Sequence, residues 1–234
     1  MQAWHGRRPD AGLWEQLERS QLFSQLLESA RHNPGLASAV TTLGSSSTIH
    51  EMDQAARTVF RRHAAAVADW HPRGWRPALR WVDTLPDLPL LRHLLAGGPP
   101  PHWLHRDRRY ASLAEPRDAG AALAGTALAP LAGDAAGLPE RWRRHWQRLQ
   151  PRGEGGPPLN RLEQLLWRCR QGLAGLEAAS EPDSHLRRDS LDVALTRIFR
   201  RHAQSPAASF AHLGLVWLDL QRLRGALVRR AALG

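Results

Sequence analysis

The chain has 234 residues, of which 42% are hydrophobic and 23% are charged, so it is long enough and apolar enough to bury a core of its own. These values exclude a collagen, a natively unfolded tail and a small domain held together by disulfides. All 32 cations are arginines, against 22 acidic residues, which gives a net charge of +10. That charge favours an acidic partner, a nucleic acid or an anionic membrane face.

The absence of lysine has two interpretations. Codon bias in a GC-rich genome replaces Lys by Arg without selection on chemistry, and it explains the complete loss of lysine better. Selection for the planar guanidinium, which binds carboxylates and phosphates through two parallel hydrogen bonds, is the alternative. Both interpretations leave the same basic surface.

Apolar residues recur at helical spacing along most of the chain, and no stretch alternates with the period of a β-strand. The sequence therefore predicts an all-α fold, an irregular multi-helix bundle. The predicted helices cover approximately residues 13–32, 36–43, 48–70, 75–85, 90–96, 119–131, 139–149, 159–179, 185–203 and 207–233.

The long helix over 48–70 has the clearest start signal. Thr48 and Glu51 have the spacing of a capping box, in which each side chain binds the other residue's backbone N–H. We expect the following residues to form its buried stripe: Ile49, Met52, Ala56, Val59, Phe60, Ala64 and Val67.

Two Gly/Pro-rich stretches, 97–101 and 150–158, divide the chain into three parts. We predict a single helical domain over residues 1–234, with sub-units of about 1–97, 98–150 and 159–234. Residues 97–138 are poor in large apolar side chains, so we expect a loose connecting region around an Ala-rich helix.

Two segments 139 positions apart resemble each other: residues 53–64 read DQAARTVFRRHA and residues 192–203 read DVALTRIFRRHA. Such self-similarity is typical of a duplicated helical unit, although chance is the alternative in a chain rich in Arg and Ala. We therefore predict internally repeated helical units.

No motif of catalysis, cofactor binding or metal binding is found, so we predict no residues for those roles and no enzyme activity for the chain alone. His102 and His105 have the spacing of two metal ligands but lie in a Pro-rich loop, and we interpret them as surface histidines. Cys169 is the only cysteine, which excludes an intramolecular disulfide and a cysteine-based zinc site.

The basic helix over 139–149 suggests partner binding through Arg141, Arg144 and Arg148. With Trp142 and Trp146 between them, one hypothesis is a nucleic-acid site in which arginines bind phosphates and tryptophans stack on bases. The alternative is that the two tryptophans, four residues apart, form a core-facing stripe, and we favour it.

The last helix carries Arg222, Arg224, Arg229 and Arg230 near its carboxyl end, where cations suit the helix dipole. Two interpretations are compatible: the arginines stabilise the helix, and they dock an acidic partner. We expect Arg229 and Arg230 to be exposed, so that reversing both to Glu weakens assembly without unfolding the chain.

The closing segments 192–195, 199–201 and 210–224 resemble the final helices of the V-type ATPase subunit called C in prokaryotes and d in eukaryotes. The opening is similar in layout too: a helix and a short helix over 13–43, a long helix over 48–70, and a Trp/Leu-rich pair over 75–95. Residues 97–158 match nothing in that family.

The resemblance implies an all-helical, non-catalytic socket of three related units between the central stalk and the proteolipid ring of a rotary ATPase. Its partners would be the stalk and ring subunits, and contact with anionic membrane lipids is compatible with the basic charge. It implies a cytoplasmic location, peripheral on the inner face of the membrane. A basic nucleic-acid-binding or acidic-partner-binding accessory protein is the alternative function, and an enzyme built from scattered histidines ranks last.

Overall fold

In the computed structural model, the described residues are 5–107, 109–114, 118–151, 159–160, 162–164 and 181–233. Within these ranges the chain is helical and has no β-strand, which confirms the predicted all-α class. The α-helices are α1 (Ala11–Arg19), α2 (Phe23–His32), α3 (Ala37–Val40), α4 (Ile49–Asp69), α5 (Arg76–Trp81), α6 (Leu88–Leu95), α7 (Ala119–Ala124), α8 (Leu138–Arg148), α9 (Glu181–Arg201) and α10 (Pro206–Leu233). Short 3₁₀ helices cover Val82–Asp87, Leu104–Arg106, Ala111–Leu113 and Ala129–Leu131.

The first predicted helix is two helices. The Asp10 side chain caps α1 by accepting a 2.8 Å hydrogen bond from the backbone N–H of Leu13. Ser20 then adopts φ −58° and ψ 121°, which leaves the helical region and turns the chain before α2. Leu22, which falls in this break, is 57% exposed. The prediction of a continuous helix was wrong because the apolar spacing carries across the break.

Helix α4 begins as predicted. The Thr48 hydroxyl accepts from the backbone N–H of Glu51, and the Glu51 carboxylate accepts from the backbone N–H of Thr48 at 2.7 Å. Six of the seven predicted stripe residues are buried. Ile49 is 46% exposed, because it lies in the first turn, ahead of the point where the helix meets its neighbours.

Prolines and a glycine set the short helices between α4 and α7. Pro77 lies in the first turn of α5, and Pro89 lies in the first turn of α6, positions that need no backbone donor. Gly97 has φ +81° and follows the carboxyl end of α6, where the left-handed conformation that favours glycine ends the helix.

The middle of the chain belongs to the core, which corrects the expected loose region. Buried large apolar residues there are Leu104, Tyr110, Leu113, Leu123, Leu128 and Leu131. They share one continuous apolar core with residues from both ends of the chain. The Ala-rich helix is shorter than predicted, because the chain leaves α7 at Gly125 and resumes as a 3₁₀ turn.

Helix α8 packs against the segment that follows α5. The Trp142 indole N–H donates to the Thr84 hydroxyl at 2.6 Å, and the Trp81 indole N–H donates to the Trp142 carbonyl at 3.3 Å. Trp142 and Trp146 are 5% and 1% exposed. The core-facing interpretation of these two tryptophans is therefore confirmed.

Helix α10 lies at the centre of the fold and contacts α9, α4 and α2. Both similar segments pack on it: Phe60 of α4 lies 5.2 Å from Trp217, and Phe199 of α9 lies 5.9 Å from His212, measured between ring centroids. No described helix is long and apolar enough to cross a membrane.

Some predictions lie outside the described residues or are not tested by the structure. Cys169, residues 152–158 of the second Gly/Pro-rich stretch and most of the apolar stripe over 159–179 lie outside them. Leu159 and Leu162, the first members of that stripe, are buried. The division into three sub-units stays a prediction.

Candidate functional site

The arginines of α10 bind neighbouring helices within the chain. Arg222 Nε lies 2.7 Å from Glu18 Oε1, and its guanidinium carbon lies 4.6 Å from the centre of the Trp14 ring. Arg224 Nε lies 2.7 Å from Asp53 Oδ1 of α4. These side chains therefore fix α10 against α1 and α4.

The expected exposure of the last two arginines was wrong. Arg230 donates to the backbone carbonyl of Ser20 at 2.7 Å and to that of Glu18, so it satisfies carbonyls at the carboxyl end of α1. Arg229 is also half-buried. Burial lowers the pKa of Arg188, and the nearby positive charges of Arg222 and Arg229 lower it further. At least Arg230 is part of the fold.

A three-residue ion cluster joins the start of the chain to its last two helices. Arg8 Nε lies 2.6 Å from Asp219 Oδ2 of α10, and Arg8 Nη2 lies 2.5 Å from Asp192 Oδ2 of α9. Asp219 has a side-chain exposure of only 10%. Burial raises the pKa of Asp219, while the hydrogen bond and charge of Arg8 oppose that rise. Sequence reasoning missed this cluster because its members are up to 211 residues apart.

A second buried ion cluster lies between α4 and the 3₁₀ helix Val82–Asp87. Asp87 is fully buried and accepts from Arg61 Nη2 at 2.8 and 3.0 Å. Arg57, only 3% exposed, lies 3.8 Å from Asp87 and 2.8 Å from Asp53. Burial raises the pKa of Asp87, and Arg61 opposes the rise. Two arginines thus share one buried carboxylate.

Buried histidines meet where α4, α9 and α10 converge. His63 Nε2 lies 2.9 Å from His212 Nε2, so one neutral ring donates and the other accepts. The ring of His5 stacks on Phe199 at 4.3 Å. Burial lowers the pKa of His63 to about 4, and burial together with the neighbouring His63, His5 and Arg8 lowers that of His212 to about 3. Both rings are therefore neutral at pH 7.

Metal ligation finds no support in the part of the chain that the structure describes. No group of three or more His, Cys, Asp or Glu residues there has an arrangement fit to hold a metal ion. His102 and His105 are both exposed, as interpreted from the sequence.

The arginines of α8 differ from one another. Arg141 Nη1 lies 2.8 Å from Asp134, and Arg144 Nε lies 3.2 Å from Glu140, whose pKa falls to about 2 chiefly because Arg143 donates to it. Arg148 is exposed and has no carboxylate within ion-pair distance among the described residues. Both tryptophans of α8 are buried and are therefore not available to stack on bases. Of the nucleic-acid hypothesis for this helix, only the binding of phosphates by arginines is left.

A further arginine cluster lies on the exposed face of α9, and sequence reasoning did not select it. Arg197, Arg200 and Arg201 are all exposed, and none has an ion-pair partner among the described residues. Their spacing of three and four residues places them on one face of the helix. The repeated Phe-Arg-Arg-His was the signal available for finding them.

Comparisons with models of protein families, with curated proteins and with solved structures found no match. Two observations that bear on function remain: the geometry of the chain, and the resemblance of its opening and closing segments to the V-type ATPase subunit called C in prokaryotes and d in eukaryotes.

Proposed function

We propose that the chain is a non-catalytic, stiff assembly subunit, and specifically the socket that joins the central stalk to the proteolipid ring of a V-type rotary ATPase. The observation that carries the proposal is the attachment of α10, which holds most of the segment with the family resemblance. Ion pairs and hydrogen bonds join it to Arg8, to α1 and the residue that follows it, and to α4 at four points from its middle onward: Asp219, Arg222, Arg224 and Arg230.

Such attachment suits a part that transmits torque. A helix of 28 residues is about 42 Å long and, if it were free, would bend and fray. Partly buried ionic and hydrogen-bonded contacts at several points resist sliding of one helix along another, since sliding breaks them all at once. In this role the helices carry force between neighbouring subunits, and ATP hydrolysis and ion movement are left to those subunits.

Purification of the tagged chain from its own cells in mild detergent tests the proposal. We expect mass spectrometry to identify stalk and proteolipid subunits of a rotary ATPase in the purified complex. We also expect membranes lacking the chain to hydrolyse ATP without pumping ions. Recovery of the chain without any ATPase subunit would contradict the assignment.

A further inference from the structure

We propose that the exposed face of α9 is a docking surface for an acidic, partly apolar segment of a partner protein, which places a carboxylate against Arg200. This inference rests on the proposed role as an assembly subunit and names the surface through which a partner binds. It depends on a comparison of the two similar segments, because Arg61 of the first is half-buried, whereas Arg200, the arginine that matches it in the second, is exposed.

In the first segment one of the two adjacent arginines, Arg61, is covered by the chain itself, while Arg62 is exposed. Arg61 of α4 is met by the carboxylate of Asp87, and the 3₁₀ helix that carries Asp87 packs against α4 with Val82 buried beside it. The cover thus combines an acidic residue with apolar ones. Arg61 matches Arg200 at the constant offset of the two segments.

In the second segment no described residue supplies that cover. Over residues 188–201 of α9, the exposed positions lie on one face of the helix and are Asp189, Ser190, Val193, Arg197, Arg200 and Arg201. Asp189 lies eight residues before Arg197, about 12 Å along the helix axis, and so does not neutralise the arginines. The face therefore presents three positive charges close together.

An apolar side chain on the same face favours a protein over a nucleic acid as the occupant. Val193 is 58% exposed and lies one helical turn before Arg197. Arginines beside an exposed apolar residue are typical of protein interfaces, whereas a phosphate backbone offers nothing for a valine to contact. Carboxylates on a partner helix at spacings of three and four residues match the spacing of the arginines.

The test measures binding of defined probes to the full-length chain by fluorescence anisotropy at an ionic strength of about 0.1 M. The first probe is a labelled helical peptide of about 20 residues with a leucine stripe flanked by glutamates. The second replaces every Glu by Gln, and the third is a DNA duplex of similar length. We expect the chain to bind the Glu peptide more tightly than either other probe.

The variant R197E/R200E/R201E should weaken binding of the Glu peptide by about tenfold or more, because like charges then face each other. The matched control is R19E/R62E/R73E, which makes the same change in net charge at exposed arginines elsewhere. It should weaken binding by only about twofold. A milder variant, R200Q/R201Q, tests the same surface if the triple reversal lowers the Tm.

Equal weakening by the two triple variants would overturn the proposal, since net charge alone would then explain binding. Failure of the chain to prefer the Glu peptide over the Gln peptide would overturn it as well. Tighter binding of the duplex, lost in the α9 variant, would assign the surface to nucleic acid instead. If the peptide binds at α9 but no ATPase subunits co-purify with the chain, the docking surface is supported and the rotary-ATPase role is contradicted. If ATPase subunits co-purify but the peptide does not bind at α9, the role is supported and the docking surface is contradicted.

Discussion

The two similar segments, residues 53–64 of α4 and 192–203 at the end of α9, have nearly the same sequence but different surroundings. Phe60 and Phe199 are both buried against α10. Arg61 is half-buried on Asp87, whereas Arg200 is exposed. In both segments the phenylalanine side therefore packs into the core. The role of the matching arginine depends on whether another part of the chain lies over it, as it does for Arg61 and not for Arg200.

The largest effect is expected from removing the cover of the first segment. Asp87→Asn should lower the free energy of unfolding by about 3–5 kcal/mol, because Arg61 would lose the buried carboxylate that it binds and Arg57 would keep only Asp53. Urea denaturation measures the change. Asp192→Asn is the control, since its side chain is 39% exposed, and should cost about 1 kcal/mol. Equal losses would show that the buried ion pairs of Asp87 are no more important to the fold than the half-exposed ion pair of Asp192.

Removing the buried phenylalanine of either similar segment should lower stability by about the same amount. Phe60→Ala and Phe199→Ala should each cost about 3–4 kcal/mol, because each empties a packed position against α10. Thermal and urea unfolding of the two variants provide the comparison. A loss below about 1 kcal/mol for Phe199→Ala would contradict the common role of the two phenylalanines.

Replacing the matching arginines, Arg61 and Arg200, should change stability by different amounts. Arg61→Gln should cost about 2 kcal/mol, less than the loss of Asp87, because Arg57 stays near the carboxylate. Arg200→Gln should change stability by less than about 0.5 kcal/mol, as is usual for an exposed side chain. A large loss for Arg200→Gln in urea unfolding would show that this arginine has a partner within the chain.

The histidine cluster connects the two segments and predicts acid sensitivity. An unfolded histidine has a pKa near 6.5, while the folded pKa values of His63 and His212 are about 4 and about 3. The unfolded chain therefore binds more protons between those values and pH 6.5, so stability is complete above pH 6.5 and falls as the pH drops below it. Each ring contributes up to about 1.4 kcal/mol per pH unit. Urea unfolding of His212→Gln should show a shallower slope from pH 6.5 to 4.5.

The smallest effects on stability are expected at the candidate arginines of α10 and α8, which lie outside the two similar segments. Arg230→Ala should cost about 1 kcal/mol, because two carbonyls at the end of α1 lose their donor. Arg148→Ala, on the exposed side of α8, should leave the Tm unchanged. The same Tm for both variants would show that Arg230 is not needed by the fold.

The sequence correctly predicted the structural features that are set by residues close to one another along the chain. The capping box of α4 and the buried tryptophans of α8 each follow from residues within a few positions of one another. The break at Ser20 and the exposure of Ile49 depend on where other helices lie, so apolar spacing alone misplaced them. The same holds for the candidate arginines, since Glu18 is 204 residues from Arg222. No local pattern indicates such a pair.

The central position of α10 has a consequence for biosynthesis. This helix is the last part of the described chain to leave the ribosome, yet α2, α4 and α9 all bury apolar residues against it. Until it emerges, those earlier helices keep part of their apolar surfaces in water, where they invite aggregation. Final packing must then await the emergence of α10, and contacts between residues so distant in sequence slow that step. Nascent chains stalled before residue 206 should therefore bind chaperones more strongly than the released protein does.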